Sequence, residues 1–463
     1  MEHFISGILS PVVLILLTVT GIDIIITAKP HRAASVYIKN RNRKNGSASL
    51  SAMLTALAGT LGVGNISGVA LAISGGGCGA VFWMVISSVF AMAVKYAEIL
   101  LASHYRIIKK DGFHGGAPLY IRAAFKGNSG KVLSSLFSVL CIAGALTVGC
   151  AIQSGAAAET ASEAFGLPPA LCGIILAFCC LFSIIGGAKR ISRITDKLVP
   201  LMSGAYLMLS LIIIIKEASC LPSILTYIIR SAFGIRPAIS GVAGFGLASA
   251  LRYGVSRGLI SNEAGCGTAP FAHARADRTP AEQGLFGIIE VFIDTVVLCT
   301  ATAISIIAAY GGDVPSGVGG MVLVCNAYEK YFGSLAPAVL CISTAMFAYG
   351  SMICWYYYGT ECISLTGGGK AAKVLFTAAF MVFSAVGAAV SGGGIWIASD
   401  ICFDLMLCIN TVAILKQMGA VKRITSDYVL SSSSSSAERM RNASKKLSRG
   451  KASAIPHSET EAP

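Results

Sequence analysis

Between positions 60 and 68 the chain reads Thr60-Leu-Gly-Val-Gly-Asn65-Ile-Ser-Gly68, placing three glycines, two hydroxyls and a carboxamide inside a long apolar run. Each glycine weakens a helix by about 1 kcal/mol relative to alanine, so this density favours an unwound turn. Unwinding frees backbone groups for a ligand. Freed amides at the start of the following half-helix can hold a carboxylate, and freed carbonyls can coordinate a cation. The Asn65 amide and the Thr60 and Ser67 hydroxyls can add side-chain ligands. The alternative is close helix packing through small residues.

Other polar residues interrupt apolar runs further along. Lys95 and Glu98 share a helical face and can form an ion pair or a gating contact. Glu290 and Asp294 also share a face and can bind a cation, relay protons, or pair with Arg252 or Arg257. Gln153 is either an interhelical hydrogen bond or a ligand. Trp355, followed by three tyrosines, suits an interfacial aromatic belt or a pocket wall. Phe245, beside Gly244 and Gly246, can gate a ligand or pack in the core. His273 is the only histidine in these motifs, so no nucleophile and base pair suggests an enzyme. The chain has no Walker sequence and no sign of a stored cofactor, which leaves an ion gradient as the energy source.

These residues sit in a chain that is 55% apolar and only 13% charged over 463 residues, so a lipid bilayer is its expected surroundings. A hydrocarbon core about 30 Å thick takes a helix of roughly 20 apolar residues. Runs of that kind fall at about 4 to 27, 52 to 74, 79 to 103, 132 to 157, 169 to 187, 197 to 216, 239 to 262, 285 to 310, 335 to 363, 371 to 390 and 394 to 415. Only Glu2 and His3 precede the first, so it reads as a retained helix rather than a signal peptide. The fifteen cysteines lie mostly inside these runs and lack metal-ligand spacing with the six histidines, as expected of reduced thiols.

The net charge of +14 is distributed as a topology signal and not as a nucleic-acid surface. With the N-terminus outside, 31 of the 36 lysines and arginines fall in or beside cytoplasmic segments, among them Lys29 to Lys44, Arg106 to Lys131 and Arg252 to Arg278. Eleven spans, N-terminus out and C-terminus in, follow. Setting the first aside leaves two inverted halves of five. Each opens with a glycine-interrupted helix: Gly59, Gly62, Gly64 and Gly68 in one, Gly241, Gly244 and Gly246 in the other. Residues 1–420 then form the membrane domain. Residues 421–463, with the serine run Ser431 to Ser436 and a basic cluster from Arg439 to Lys451, are expected to be a disordered cytoplasmic tail, either solvated or drawn to anionic lipid.

The stretch from Thr55 through Arg106 resembles the alanine or glycine:cation symporter family, also described as sodium:alanine symporters. Beyond the glycine and asparagine segment it carries Gly76-Gly-Cys-Gly-Ala80-Val-Phe82-Trp83-Met84 and Lys95-Tyr96-Ala97-Glu98. Further matches are Arg252-Tyr-Gly-Val-Ser-Arg257-Gly-Leu-Ile-Ser261-Asn262-Glu263-Ala-Gly265, then Ala269-Pro270 and His273, Glu290-Val-Phe-Ile-Asp294-Thr, and Trp355-Tyr-Tyr-Tyr-Gly359. The chain departs from the family pattern at Val63, where threonine or serine is frequent, and at Val85, where a second tryptophan is usual. Cys150-Ala-Ile-Gln153 replaces an asparagine-methionine pair before a matching glutamine, and Ser351 stands where threonine is common.

The resemblance implies an all-α polytopic fold of the LeuT type, a five-plus-five inverted repeat preceded by one extra N-terminal helix. It implies an importer of a small neutral amino acid, alanine or glycine, working by alternating access in the cell membrane. Substrate contact is carried over to Thr60, Gly62, Gly64, Asn65, Gln153, Ser351 and Trp355, with Phe245 as a gate. A sodium site is expected from the carbonyls of Gly59, Thr60 and Gly62 with the hydroxyls of Ser343 and Thr344. Proton coupling is the alternative, and a non-transporting membrane sensor a more distant one.

Overall fold

The computed structural model describes residues 9–39, 47–109, 112–234, 246–390 and 393–431. They are helical nearly throughout. The one strand pair among the described residues is a short antiparallel hairpin in which Ile107–Lys109 pairs with Gly112–His114. The principal helices are α1 (Ser10–Thr27), α2 (Ser47–Thr60), α3 (Ser67–Gly76), α4 (Ala80–His104), α5 (Asn128–Leu146), α6 (Ile152–Phe165), α7 (Pro169–Ile184) and α8 (Gly187–Lys216). Then come α9 (Leu247–Asn262), α10 (Ala269–His273), α11 (Pro280–Val291), α12 (Thr300–Tyr310), α13 (Gly320–Phe332), α14 (Ala336–Leu365), α15 (Lys370–Ala389) and α16 (Gly393–Lys416).

Among the described residues, 8 helical runs are long and apolar enough to cross a membrane: α1, α4, Asn128–Phe165, α8, Pro280–Tyr310, Gly320–Leu365, α15 and Gly394–Lys416. The expected runs at 52 to 74, 169 to 187 and 239 to 262 correspond to shorter elements: an interrupted pair (α2, α3), the 16-residue α7 and the 16-residue α9. Lipid-type burial is evident in α1, whose Val12, Ile15, Val19 and Ile26 are exposed while Val13, Leu17 and Ile24 are buried. A helix apolar on all sides fits a nonaqueous surrounding.

The centre is built by α4, which packs against α1, α9 and α11, and by α14, which packs against α2, α5, α6 and α8. Small residues allow the close approach. A Cβ added at Gly149 would meet the Trp355 Cβ at 2.2 Å, and one at Gly254 the Ala80 carbonyl oxygen at 2.2 Å, a packing mode suited to helices that gain no hydrophobic drive from lipid.

Two long helical runs contain π-helical turns, Thr147–Ala151 ahead of Gln153 and Phe292–Cys299 around Asp294. Such turns frequently mark functional sites because they re-aim the side chains beside them.

The end of the membrane body differs from the expected boundary at 420. Helix continues over 418–431, and Val421 and Thr425, one turn apart, are buried against the bundle. The Thr425 hydroxyl lies 2.9 Å from that of Tyr96 on α4. Apolar spacing on one helical face draws this segment onto the body. The rest of the serine run and the basic cluster lie outside the described residues.

Candidate substrate and cation site

The expected unwinding between α2 and α3 is present. Gly62 is extended (φ −113°, ψ −163°), a 3-10 turn spans Val63–Asn65, and α3 restarts at Ser67. Its freed backbone groups are taken up by side chains from three other elements. Ser351 Oγ on α14 donates to the Gly59 carbonyl at 2.6 Å. The Val63 N–H donates to Gln153 Oε1 at 3.1 Å, and Thr302 on α12 donates to the Asn65 carbonyl at 3.0 Å. The π turn before Gln153 lets its Nε2 donate to Val148 O, 3.2 Å away. Gly62 is required here, since a Cβ would stand 2.8 Å from Gln153 Oε1 and 3.0 Å from Ser351 Oγ.

Asn65 turns away from this face. Fully buried, it donates through Nδ2 to Asp294 Oδ1 at 2.7 Å, and its Oδ1 has no partner among the described residues. Asp294 also accepts from Ser261 Oγ at 3.0 Å and Thr295 Oγ1 at 2.8 Å. A carboxylate and two hydroxyls converge beside a carboxamide whose oxygen is unfilled, a set of hard oxygens suited to an alkali cation or a proton. The expected pairing with Arg252 or Arg257 is replaced by these contacts, and Glu290 pairs instead with His273. Arg252 and Arg257 sit on α9, inside the expected run at 239 to 262.

A second helix break lies between α9 and α10, at Glu263-Ala-Gly-Cys-Gly-Thr268. Glu263 (φ 51°), Gly265 (φ 80°) and Gly267 (φ 80°) all have positive φ, a conformation costly for a side chain as large as glutamate. Partners hold it there: Glu263 accepts from Trp355 Nε1 at 3.0 Å and from Thr268 Oγ1 at 2.6 Å. From α4, Lys95 Nζ donates to the Asn262 carbonyl at 3.0 Å, and Glu98 accepts the Gly267 N–H at 3.2 Å. The expected break at Gly241, Gly244 and Gly246 falls for the most part outside the described residues. Gly246 immediately precedes α9, and Gly241, Gly244 and Phe245 lie outside the described residues.

The two breaks face a common cavity of about 50 Å³. With one water-sized occupant needing about 10–15 Å³, the cavity suits a very small solute. Of the anticipated residues, Gly59, Thr60, Gly62, Gly64, Gln153 and Ser351 line it. Trp355 stands behind this wall, fully buried against Gly144 and Gly149. Ser343 and Thr344 are not among the residues that line the cavity. The Ser343 hydroxyl donates to Val339 O on its own helix at 2.9 Å, and that of Thr344 has no partner among the described residues. Four further polar lining residues had no role assigned from the sequence: Ser261, Glu263, Ser399 and Asp400. For the Glu263 break a signal existed, because Gly265-Cys-Gly267-Thr268 repeats the Gly62-Val-Gly64-Asn65 pattern.

The match to known proteins extends over this whole assembly. A family model described as the sodium:alanine symporter family covers residues 3–442. The chain belongs to the sodium:alanine symporter family. Among members of curated name, it is 34% identical over 446 residues to an uncharacterized transporter, YflA, of Bacillus subtilis, covering 93% of each chain. It is 32% identical over 432 residues to the sodium/alanine symporter AgcS of Methanococcus maripaludis, covering 90% of this chain and 94% of the relative. Among solved structures, a mutant of the Eremococcus coleocola manganese transporter aligns with a TM-score of 0.51 at 14% identity, covering 80% of this chain and 76% of that one. This likeness is one of fold. The chain is thus a multi-pass membrane transporter of the sodium:alanine symporter family.

Proposed function

We propose that this protein is a secondary active symporter that imports a small neutral amino acid, alanine or glycine, coupled to a sodium gradient by alternating access. The observation that carries the reading is the small cavity bounded by both helix breaks. Its backbone and side-chain polar groups can hold an amino and a carboxylate group, and its volume leaves little space for a side chain. The name of the archaeal relative, sodium/alanine symporter, supports the choice of cargo and ion.

Two interrupted helices that meet at one cavity support a LeuT-type five-plus-five repeat. Adding α2–α3, α7 and α9–α10 to the eight long helical runs supports eleven spans. The charge asymmetry supports an N-terminus outside and a cytoplasmic C-terminus in the cell membrane. In this reading the coupling ion sits at the Asn65 and Asp294 cluster, beside the substrate cavity rather than at Ser343 and Thr344. Proton coupling is the second reading, favoured by the same fact that Asp294 is a buried carboxylate whose hydrogen bonds come from the uncharged Asn65, Ser261 and Thr295.

Ligand linkage tests the cargo. A ligand that binds only the folded state raises its melting temperature in proportion to the logarithm of ligand concentration over Kd. Purified protein is expected to be stabilised by alanine and glycine, more so in sodium than in potassium, and not by leucine. Absence of any shift with either small amino acid, in sodium or at acidic pH, would contradict the assignment.

A further inference from the structure

One wall of the central cavity comes from α16, a helix whose sequence gives no motif. Trp396, Ser399, Asp400 and Phe403 follow the i, i+3, i+4, i+7 spacing that shares one helical face, and all four line the cavity of about 50 Å³. Ser399 is 2% exposed, and its hydroxyl has no hydrogen-bond partner among the described residues. A buried hydroxyl is rarely left unpaired, because the desolvation it suffers is not returned. The residue that carries it borders the central cavity.

The same face divides the central cavity from two others. Trp396, 40% exposed, also borders an open cavity of about 620 Å³, and the two spaces share Ser67, Leu71 and Ile152 as well. On the other side, Asp400, Phe403 and Arg257 are shared with a third cavity of about 220 Å³.

We propose that Ser399 is a substrate ligand and that Trp396 is the partition that limits both the size of the bound side chain and entry from the larger cavity. The inference rests on the amino-acid transport reading above. A hydroxyl is a suitable donor to a substrate carboxylate or acceptor from its ammonium group, and an indole at the border of a small and a large space excludes bulk by shape.

The test uses full-length protein in proteoliposomes. Ser399→Ala is expected to raise the KM for alanine at least about tenfold with maximal rate kept, the loss of one hydrogen bond to a charged group. Trp396→Ala is expected to let valine and leucine compete for uptake at concentrations about tenfold lower, while Trp396→Phe stays close to the parent. An unchanged KM in the first, with an unchanged competitor profile in the second, overturns the proposal.

A second measurement covers loss of folding in these variants. In a Ser399→Cys chain, alkylation of that one peptide is followed by mass spectrometry with each of the twenty amino acids present. Alanine or glycine is expected to slow it, and an added Trp396→Ala to speed it. If the parent accumulates neither alanine nor glycine, but another amino acid protects position 399, the cargo assignment fails and the Ser399 assignment stands. If the parent accumulates alanine, but alanine protects nothing, the reverse holds. Protection by none of the twenty overturns the Ser399 assignment whatever the transport result.

Discussion

Asn65 and Asp294 stand 229 positions apart in the chain and meet in a 2.7 Å hydrogen bond from Nδ2 to Oδ1. That bond ties the unwound turn of the first broken helix to the π turn before α12. It orients the Asn65 carboxamide so that its oxygen is left without a partner among the described residues. In the same cluster Thr295 Oγ1 accepts from Asn262 Nδ2 at 3.0 Å, so the second break is joined to the first through three side chains.

Replacing Asp294 by asparagine keeps its shape and removes its charge. The variant is expected to fold and to need at least about tenfold more of the coupling cation for half-maximal uptake, since a charge-bearing ligand is lost from a buried site. The cation dependence of initial uptake rates measures this. An unchanged dependence would remove Asp294 from the ion site.

The first break is predicted to depend on its side-chain partners. Gln153→Ala strands the Val63 N–H and Ser351→Ala strands the Gly59 carbonyl, each costing about 1–3 kcal/mol of stability. Both variants are expected to weaken alanine affinity as well, because both residues line the cavity. Thermal unfolding with and without alanine separates the two effects; wild-type affinity in both variants would make these residues purely structural.

Gly62→Ala forces a methyl group against Gln153 and Ser351, whereas a Cβ at Gly204 on α8 meets nothing within 4 Å. The first is expected to lower uptake at least about tenfold at normal membrane abundance, and Gly204→Ala to be neutral, since overpacking costs about 1–3 kcal/mol and displaces neighbours. Equal activities in the two variants would contradict the geometry of the break.

Lys95 and Glu98 are both fully buried, 3.8 Å apart, and both contact the second break. Glu98→Gln leaves the lysine without its counter-charge and is expected to cost about 3–5 kcal/mol, whereas a Lys95→Met, Glu98→Gln double variant recovers part of that loss. Melting temperatures of the parent, Lys95→Met, Glu98→Gln and the double variant decide the matter, and additive losses would mean the two charges do not interact.

The membrane character and the first break were legible because glycine and asparagine are conspicuous in an apolar run. The break between α9 and α10 was not anticipated, for a physical reason. Glycine density draws attention to Gly241–Gly246, most of which lies outside the described residues, while this interruption sits in a polar segment that resembles the end of a span, where Glu263 at positive φ is held by Trp355 and Thr268. Partner choice was also out of reach. His273 rather than an arginine meets Glu290, and Trp355 serves Glu263 rather than the cavity, because both depend on which helices the tertiary fold brings together. The face of α16 went unread because Trp396, Ser399 and Phe403 look ordinary in a transmembrane helix.

The proposed orientation places Ser47 on the cytoplasmic side. A cysteine introduced there is expected to resist a membrane-impermeant thiol reagent in intact cells and to react once the membrane is opened. Mass spectrometry of that peptide distinguishes it from the native thiols, and labelling in intact cells would invert the topology.

Uptake of labelled alanine and glycine into proteoliposomes, compared under an inward sodium gradient and an inward proton gradient in one preparation, tests transport and coupling together. Accumulation above equilibrium that requires sodium and is abolished in Asp294→Asn is the predicted result. Failure of both amino acids to accumulate under either gradient would contradict the account.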